Sequence, residues 1–254
     1  MYNIHHCYFF ANFRHELVRM APYKRILVHL QHSPGAAPVL ANFTECILDS
    51  FNFKNNSGNV SVELKDDNLI LSPATTSPVV LTHPSFCPIH CLTPTTAESL
   101  AIETRQRGVD VGVVIVLETS DTKVLVTRRA KHMRTFPGTW VPPGGHVESG
   151  EKLLEAGLRE LGEETGLVLP PDSVQGSRVL ALWESVYPYS LGMGPPKRHH
   201  IVLYYWVRTC ETSCELQTRL QLDASEVDAA MWLTPSLAKL VASGEVSEGS
   251  QRKG

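Results

Sequence analysis

Residues 145–167 read GHVESGEKLLEAGLRELGEETGL, and this stretch decides how the rest of the chain is interpreted. Ser149 or Gly150 is expected to open a helix that runs through Glu164. Gly166 is expected to end the helix, because glycine readily adopts the left-handed conformation that often follows the last helical turn. The stretch therefore predicts a glycine-rich turn that leads directly into one helix.

The predicted helix has two different faces. At roughly 100° per residue, its acidic side chains fall within an arc of about 100°, and these are Glu160, Glu163 and Glu164. A second face carries three leucines: Leu154, Leu158 and Leu161. The leucine face is expected to pack, and the other face is expected to present carboxylates.

Three carboxylates this close together predict a bound cation. They would raise one another's pKa values and resist joint ionisation unless a cation lies among them, and hard oxygen ligands favour Mg²⁺ or Mn²⁺. The alternative is a solvated face with salt bridges to cations four residues along. It is disfavoured because the residue four positions after Glu160 is Glu164, a like charge that destabilises an isolated helix.

Strand patterns flank the predicted helix on both sides. Before it lie an aliphatic run, Val109–Leu117, and a second strand, Lys123–Arg129, joined by a polar turn. After it, two more strands are predicted at Val179–Ser185 and Ile201–Arg208, and a last strand and helix lie within Glu226–Leu240. This order predicts an α+β fold in which a mixed β-sheet is sandwiched between helices.

The first part of the chain has a different character. Short β-rich runs separated by Gly, Pro and Asn clusters indicate a small β-rich N-terminal module over residues 20–97, followed by a linker over 98–107. The main domain is predicted over 108–242. Residues 1–19 show no strand or helix period and precede a second methionine, Met20, so we expect them to be a disordered extension. A disordered tail is expected over 243–254.

Composition excludes several functional classes. The chain has 23 Lys and Arg against 26 Asp and Glu, a formal charge of −3, so it offers no global basic field for non-specific nucleic-acid binding. No run approaches the roughly 18 apolar residues that cross a bilayer. Six cysteines in a chain of this length without a signal peptide are expected to be reduced thiols. We therefore expect an intracellular, cytoplasmic protein that does not enter membranes; the sequence indicates no particular protein partner.

Two cysteine pairs have a spacing that could bind zinc. Cys87 and Cys91 form one Cys-x3-Cys pair, and Cys210 and Cys214 form another. The second pair lies far downstream of the first and after a core strand, so a zinc site shared by the two pairs is not expected.

Residues 145–167 resemble the Nudix box, Gly-x5-Glu-x7-Arg-Glu-U-x-Glu-Glu-x-Gly-U, where U is a bulky aliphatic residue, and every fixed position is filled. The chain is identified on this motif as a member of the Nudix hydrolase family. The resemblance implies a Nudix fold over residues 108–242. It also implies a diphosphatase that uses Mg²⁺ or Mn²⁺ and water to hydrolyse a phosphoanhydride bond of an X-linked nucleoside diphosphate.

The same resemblance assigns roles to residues of the box. Metal ligands are implied at three positions: Glu160, Glu164 and the backbone carbonyl of Gly145. Glu163 is implied as a further ligand or as the base that activates water, and this choice stays open because the base varies within the family. Arg159 is implied to orient the glutamates, and Glu151 to brace the loop through Arg159.

Segments that flank the box resemble a vertebrate Nudix subfamily associated with hydrolysis of the methylated guanosine cap of RNA. A positively charged methylated base favours aromatic faces, by about 0.5 to 2 kcal/mol, and its Watson–Crick edge suits a carboxylate. Candidate substrate contacts are therefore Trp183, Tyr187 and Glu184 for the base and Arg128 and Arg129 for phosphates. The plainer alternatives are a core Trp183, a Glu184 that points to solvent and arginines that are only surface charges.

The substrate stays open on the sequence alone. A nucleotide or capped RNA is the expected partner, but small nucleotides, dinucleotides or CoA derivatives are alternatives, and so is nucleotide binding without turnover. His199 and His200 are adjacent on a predicted strand and face opposite ways, so at most one of them is expected to contact substrate.

Overall fold

The computed structural model describes residues 25–74 and 76–243. Its strands are β1 (Leu27–Leu30), β2 (Val39–Leu40), β3 (Ser57–Lys65), β4 (Asn68–Pro73), β5 (Val79–Thr82), β6 (Asp110–Glu118), β7 (Val124–Arg129), β8 (Trp140–Val141), β9 (Gly144–His146), β10 (Val174–Tyr187), β11 (Arg198–Thr209) and β12 (Val227–Leu233). Its helices are α1 (Ile47–Ser50), α2 (Pro94–Ser99), α3 (Ile102–Arg105), α4 (Leu153–Thr165), α5 (Ser213–Gln217) and α6 (Pro235–Ser243). The expected extension over 1–19, the Met20 boundary and all of the expected tail except Ser243 lie outside the described residues.

The strands of the described residues belong to one mixed sheet. Its order is β12-β7-β6-β11-β10-β5-β3-β4-β1-β2, with β8 beside β7 and β9 beside β6. β11 runs parallel to β6 and antiparallel to β10. The α+β class with a mixed sheet is therefore confirmed. In the part of the chain that is described, no helix is long and apolar enough to cross a membrane.

The N-terminal strands join the main sheet instead of standing apart from it. β5 pairs in parallel with β10, and β1 returns to β6, where Leu27 lies opposite Asp110. Strands β6, β11, β10, β5, β3, β4 and β1 thus form a closed ring. The N-terminal region is β-rich as expected, but it shares a core with the strands that follow it. The segment expected as a linker, 98–107, includes α3 and the last residues of α2.

Two apolar clusters pack against the sheet. The larger one lies within the ring and combines residues of the N-terminal strands and α1 with residues of β6, β10 and β11. The smaller one packs α4 and α5 against β6 and β11 through residues that include Leu161, Leu216 and Ile115. Gly157 allows α4 to lie close to the sheet, because a Cβ there would come within 2.5 Å of Ile115 Cδ1. The leucine face expected of this helix therefore does pack.

Helix α4 begins later than expected, at Leu153. Gly150 adopts φ +84°, a left-handed conformation that a helical residue does not have. The Glu151 side chain folds back to accept a hydrogen bond from the backbone N–H of Glu148, at 3.0 Å. Residues 147–152 therefore form a braced loop, and the helix ends as expected at Gly166, with φ +71°.

Glu184 and His199 form a buried polar pair on the inner side of the ring. Glu184 on β10 and His199 on β11 have no exposed surface, and His199 Nε2 lies 3.0 Å from Glu184 Oε1. The other ring nitrogen of His199 donates to the carbonyl of Phe43 at 2.8 Å. Glu184 also accepts the backbone N–H of Ile47, at 2.8 Å. The pair therefore links the main sheet to the segment that carries α1.

The same contacts favour the ionised form of Glu184. Burial would raise the pKa of Glu184, but the hydrogen bond and charge of His199 hold that pKa below its ordinary value. Each ring nitrogen of His199 faces an acceptor oxygen, one from Glu184 and one from the Phe43 carbonyl. Glu184 and His199 therefore form a buried salt bridge.

We expect Glu184→Gln to destabilise the protein strongly. Removing one partner of a buried ion pair leaves the other charge uncompensated, at a cost of about 3 to 5 kcal/mol. For a protein of this size that loss lowers the melting temperature by on the order of 10 °C. Glu63→Gln on the exposed side of β3 is the matched control and should change melting by about 1 °C or less. Equal melting temperatures for the two variants would show that the Glu184–His199 pair does not stabilise the fold.

Candidate active site

The turn before α4 is built so that the backbone can touch a carboxylate. Gly144 and Gly145 lie on β9, which pairs with β6. A Cβ on Gly145 would lie 2.4 Å from the Glu160 carboxyl carbon, and one on Gly144 would lie 2.2 Å from the Val113 carbonyl oxygen. Only glycine fits these contacts without a shift, so the sequence places the Gly145 backbone directly against Glu160.

Arg159 connects the acidic residues of the box to one another. Its Nε and Nη2 donate to the two oxygens of Glu151 at 2.7 and 3.0 Å. Its Nη1 donates to Glu160 at 3.1 Å and to Glu163 at 2.9 Å. Its Nη2 also donates to the carbonyl of His146, at 3.0 Å. One guanidinium thus joins the loop, the helix and three carboxylates, and these bonds raise the pKa of Arg159 above its ordinary value.

Glu164 and Glu160 have raised pKa values, and a bound cation would favour their ionised forms. Glu164 is 3% exposed, and in the described part of the chain its Oε2 has no hydrogen-bond partner. Burial, and then the charges of Glu226 and Glu160, raise the pKa of Glu164 to about 8. Burial also raises the pKa of Glu160, although Arg159 acts in the opposite direction. Glu163 differs from both, because 59% of its side chain is exposed.

Glu226 is a fourth carboxylate that the sequence did not single out. It immediately precedes β12, and its charge raises the pKa of both Glu160 and Glu164. Its position depends on long-range pairing: the carbonyl of Glu226 accepts the N–H of Ala130, and the loop at Asp223 bonds to the carbonyl of Glu164. Because these contacts join segments that are distant in the sequence, residue spacing does not predict that Glu226 lies near the glutamates of the box.

These residues fit a divalent metal ion. Glu160 and Glu164 offer oxygen atoms that are largely shielded from solvent, and Glu164 Oε2 has no partner among the described residues. Hard cations bind such oxygens, and their charge removes the penalty that burial and like charge impose. The charges of Glu163 and Glu226 act on Glu160, so their carboxylates are further oxygen donors nearby, and the Gly145 backbone lies against Glu160.

The predicted base contact with Glu184 is wrong for this structure. Glu184 neither points to solvent nor lines a surface, because it is fully buried and bonded to His199, to Ile47 and, at 3.3 Å, to Cys46 Sγ. Strand alternation explains the outcome. On β10 the core side includes Leu182, Glu184 and Val186, all buried.

Trp183 and Tyr187 point to the opposite side of β10, and both are half-buried. Trp183 lies opposite Val202 on β11, Val202 lies opposite Gly112 on β6, and Gly112 lies opposite His146 on β9. We call this side of the strands, defined by Trp183, Val202, Gly112 and His146, the outer row. It leads from the box loop to the indole of Trp183 over three strand spacings, or roughly 14 Å.

Histidines line the outer side near the box. His200 lies opposite Ser185 on β10, and its ring is 5.9 Å from that of His146. Burial lowers the pKa of His200 to about 4 and also lowers the pKa of His146. Both rings are therefore neutral at pH 7. His199 belongs to the core, so only His200 of this pair can face a ligand.

Arg128 and Arg129 also have different surroundings. Arg128 donates to Asp228 at 2.5 Å and lies 5.6 Å from the centre of the Trp140 ring, so it is engaged on the surface. Arg129 donates to the Thr135 carbonyl at 3.1 Å. Its charge lowers the pKa of Glu164 and of His146, which places it near both. Arg129 is thus the arginine of the two that lies toward the acidic site.

Comparison with known proteins agrees with this geometry. Residues 107–249 match the family described as the NUDIX domain. This chain belongs to the Nudix hydrolase family. It is therefore a Nudix pyrophosphohydrolase, an enzyme class that generally needs divalent metal ions.

Several relatives resemble this Nudix chain over most of its length. The m7GpppN-mRNA hydrolase NUDT17 of Danio rerio is 48% identical over 226 residues, covering 88% of this chain and 75% of that protein. The Xenopus laevis protein of the same name is 43% identical over 228 residues, covering 88% and 76%. The Homo sapiens protein is 46% identical over 200 residues, covering 77% and 60%. The likeness extends beyond the Nudix domain into the N-terminal strands.

We expect the stability of the metal-free protein to fall as the pH rises from about 6.5 to 8.5. Folded Glu164 holds a proton up to about pH 8, whereas an ordinary glutamate releases it near 4.5, so the folding advantage disappears as pH rises between these values. Mg²⁺ should raise the melting temperature more at pH 8.5 than at pH 6.5, because at the lower pH it must displace that proton. Thermal melts with and without Mg²⁺ check both effects.

Glu164→Gln should remove both effects, since an amide has no proton to lose and binds metal weakly. Glu148→Gln, an exposed change in the same loop region, should keep them. His146 and His200 have lowered pKa values in the fold, so their titration in the unfolded chain near pH 6.5 makes stability rise with pH, which is opposite in sign to the effect of Glu164. A pH slope that survives in Glu164→Gln would assign the effect to another group.

Proposed function

We propose that this Nudix enzyme hydrolyses the N7-methylguanosine cap of RNA with Mg²⁺ or Mn²⁺ as the metal. The supporting observation is an acidic site in which every box carboxylate is present, in a chain that resembles named cap hydrolases over 88% of its length. Capped RNA is then the substrate partner, and no protein partner is proposed.

The acidic residues have different proposed roles, which are metal binding and activation of water. Glu160 and Glu164 would hold the metal together with the Gly145 carbonyl, because Glu160 lies against the Gly145 backbone and the buried Glu164 interacts with both Glu160 and the backbone of Gly144. When bound, a divalent ion neutralises the diphosphate and lowers the pKa of water. Glu163 is the proposed base, since its exposed carboxylate can reach a water molecule while its bond to Arg159 fixes its position. Arg159, itself held by Glu151, keeps the glutamates in place.

The outer row provides a path for the rest of the substrate. Arg129 lies close to the acidic site and would contact a phosphate. Trp183 lies three strands away and would stack on the methylated base, whose positive charge strengthens the contact by about 0.5 to 2 kcal/mol. Tyr187 lies on the same side of β10 and packs against Phe136, with ring centres 5.0 Å apart.

A cytoplasmic location is part of this proposal. All five cysteines among the described residues are free thiols, namely Cys46, Cys87, Cys91, Cys210 and Cys214. Free thiols agree with a reducing compartment, where capped RNA is also found.

Substitutions in the acidic site should reduce turnover. We expect Glu163→Gln and Glu164→Gln each to lower kcat by at least about a hundredfold while the fold survives, because an isosteric amide keeps shape but loses charge. Glu148→Gln is the control and should retain its rate. The assay measures product release from methyl-capped RNA, unmethylated capped RNA, dinucleotides, CoA derivatives and nucleotide sugars. Turnover of wild-type size in both site variants would exclude the proposed roles, and a preference for another substrate in the panel would exclude the cap.

Trp183→Ala tests the base contact. We expect it to raise KM for methyl-capped RNA more than KM for the unmethylated cap, because only the methylated ring carries the charge that an indole face attracts. Trp206→Ala removes an indole from the same side of β11, roughly 13 Å further along that strand, and should affect both substrates equally. Equal losses in Trp183→Ala, or a large fall in its melting temperature, would make Trp183 a packing residue only.

A further inference from the structure

A second group of possible metal ligands lies away from the acidic site, in the N-terminal part of the ring. Cys46 immediately precedes α1, Asp49 lies within α1, and His90 follows β5 in the chain. One ligand atom of each residue lies within 4.8 Å of the other two. The His90 Nδ1 already lies 2.7 Å from Asp49 Oδ2. Cys46 is buried, whereas Asp49 and His90 are exposed, so the group opens to solvent on one side.

A buried histidine lies against the closed side of this group. His83 is 5% exposed, and its Nε2 lies 4.0 Å from Cys46 Sγ. Its ring centre is 5.6 Å from that of His90. Its Nδ1 has no hydrogen-bond partner among the described residues, which is unfavourable for a buried nitrogen. His83 therefore directs Nε2 at the sulfur of Cys46, while its other ring nitrogen is unsatisfied.

The types of ligand decide which cation fits. One thiolate, imidazole nitrogens and a carboxylate form a set that zinc binds with four-coordinate geometry, whereas Mg²⁺ and Ca²⁺ favour oxygen atoms alone. We propose that Cys46, Asp49 and His90 bind a zinc ion, with His83 as the fourth ligand from the buried side. This site is distinct from the carboxylates of the box.

The surrounding charges agree with a divalent ion. Cys46 Sγ now donates to Glu184 Oε2 at 3.3 Å. On zinc binding the S–H bond breaks, an S–Zn bond forms and the proton leaves to solvent. The two charges of zinc then match the thiolate and the Asp49 carboxylate, while Glu184 stays paired with His199. The ion would therefore join α1 to the segment after β5, beside the Glu184–His199 pair that links the α1 segment to the main sheet.

The test is the zinc content of the full chain, purified without a histidine tag and equilibrated by dialysis against zinc chloride with a competing weak chelator. We expect about one zinc ion per chain in the wild-type protein, since the four residues form one site. Asp49→Asn and His90→Gln change exposed positions and should fold, which thermal melting checks, yet bind zinc at least about tenfold more weakly because each removes one ligand. His83→Gln should also weaken binding.

Two control variants separate this site from the other possibilities. Cys91→Ser removes an exposed neighbouring thiol, and Glu164→Gln removes the acidic site, so both should keep the zinc. Cobalt substituted for zinc should show a thiolate-to-cobalt charge-transfer band that Cys46→Ser abolishes. No stoichiometric zinc in the wild-type protein, or zinc that persists in both His90→Gln and Asp49→Asn, would overturn the proposal. Loss of zinc in Glu164→Gln alone would also overturn it, because the ion would then belong to the acidic site.

Discussion

The site depends on one constraint, which is that several carboxylates must remain close together on one edge of α4. Arg159 meets this constraint in the protein by binding Glu151, Glu160 and Glu163 at once. It does not reach Glu164 Oε2, which is buried and has no hydrogen-bond partner among the described residues. Arg159 bonds to three carboxylates but supplies only one positive charge, so the site keeps an excess of negative charge and one buried oxygen atom for a cation to bind. The glycine turn agrees with the same constraint, because a Cβ on Gly145 would overlap the Glu160 carboxylate in its present position.

The two sides of β10 and β11 have different roles: the inner side stabilises the ring, and the outer side forms part of the outer row. Toward the core, Glu184 and His199 form an ion pair that reaches the N-terminal segment at Phe43 and Ile47. Toward the outside, the same strands present Trp183 and His200. Because neighbouring residues in a strand face opposite ways, each of these outward-facing positions lies beside a position that stabilises the ring. The closure of the ring should therefore set the orientation of the outer row, which makes the N-terminal strands part of the enzyme's architecture.

The local features of the site could be predicted from the sequence, whereas its distant neighbours could not. The helical period alone brought Glu160, Glu163 and Glu164 together, since residues three and four apart share a face. The helix start was expected too early because the fold-back of Glu151 onto Glu148 depends on a side chain and not on periodicity. The role of Glu184 was missed because a glutamate in a strand is usually exposed, and its partner His199 is known only once β10 and β11 pair. Glu226 and the short strand β5 were missed for the same reason, since both depend on pairing with distant segments.

In the proposed mechanism, the acidic site catalyses attack of water on one phosphorus of a cap. The most direct measurement is hydrolysis of methyl-capped RNA in ¹⁸O-enriched water with Mg²⁺ or Mn²⁺, followed by mass analysis of both products. We expect one ¹⁸O atom in a single phosphorus-containing product, no product when a chelator is present, and product formation at least about a hundredfold slower with Glu164→Gln. Tight binding of the capped RNA without turnover under any metal condition would contradict it, and would make this chain a nucleotide-binding protein that retains the Nudix fold.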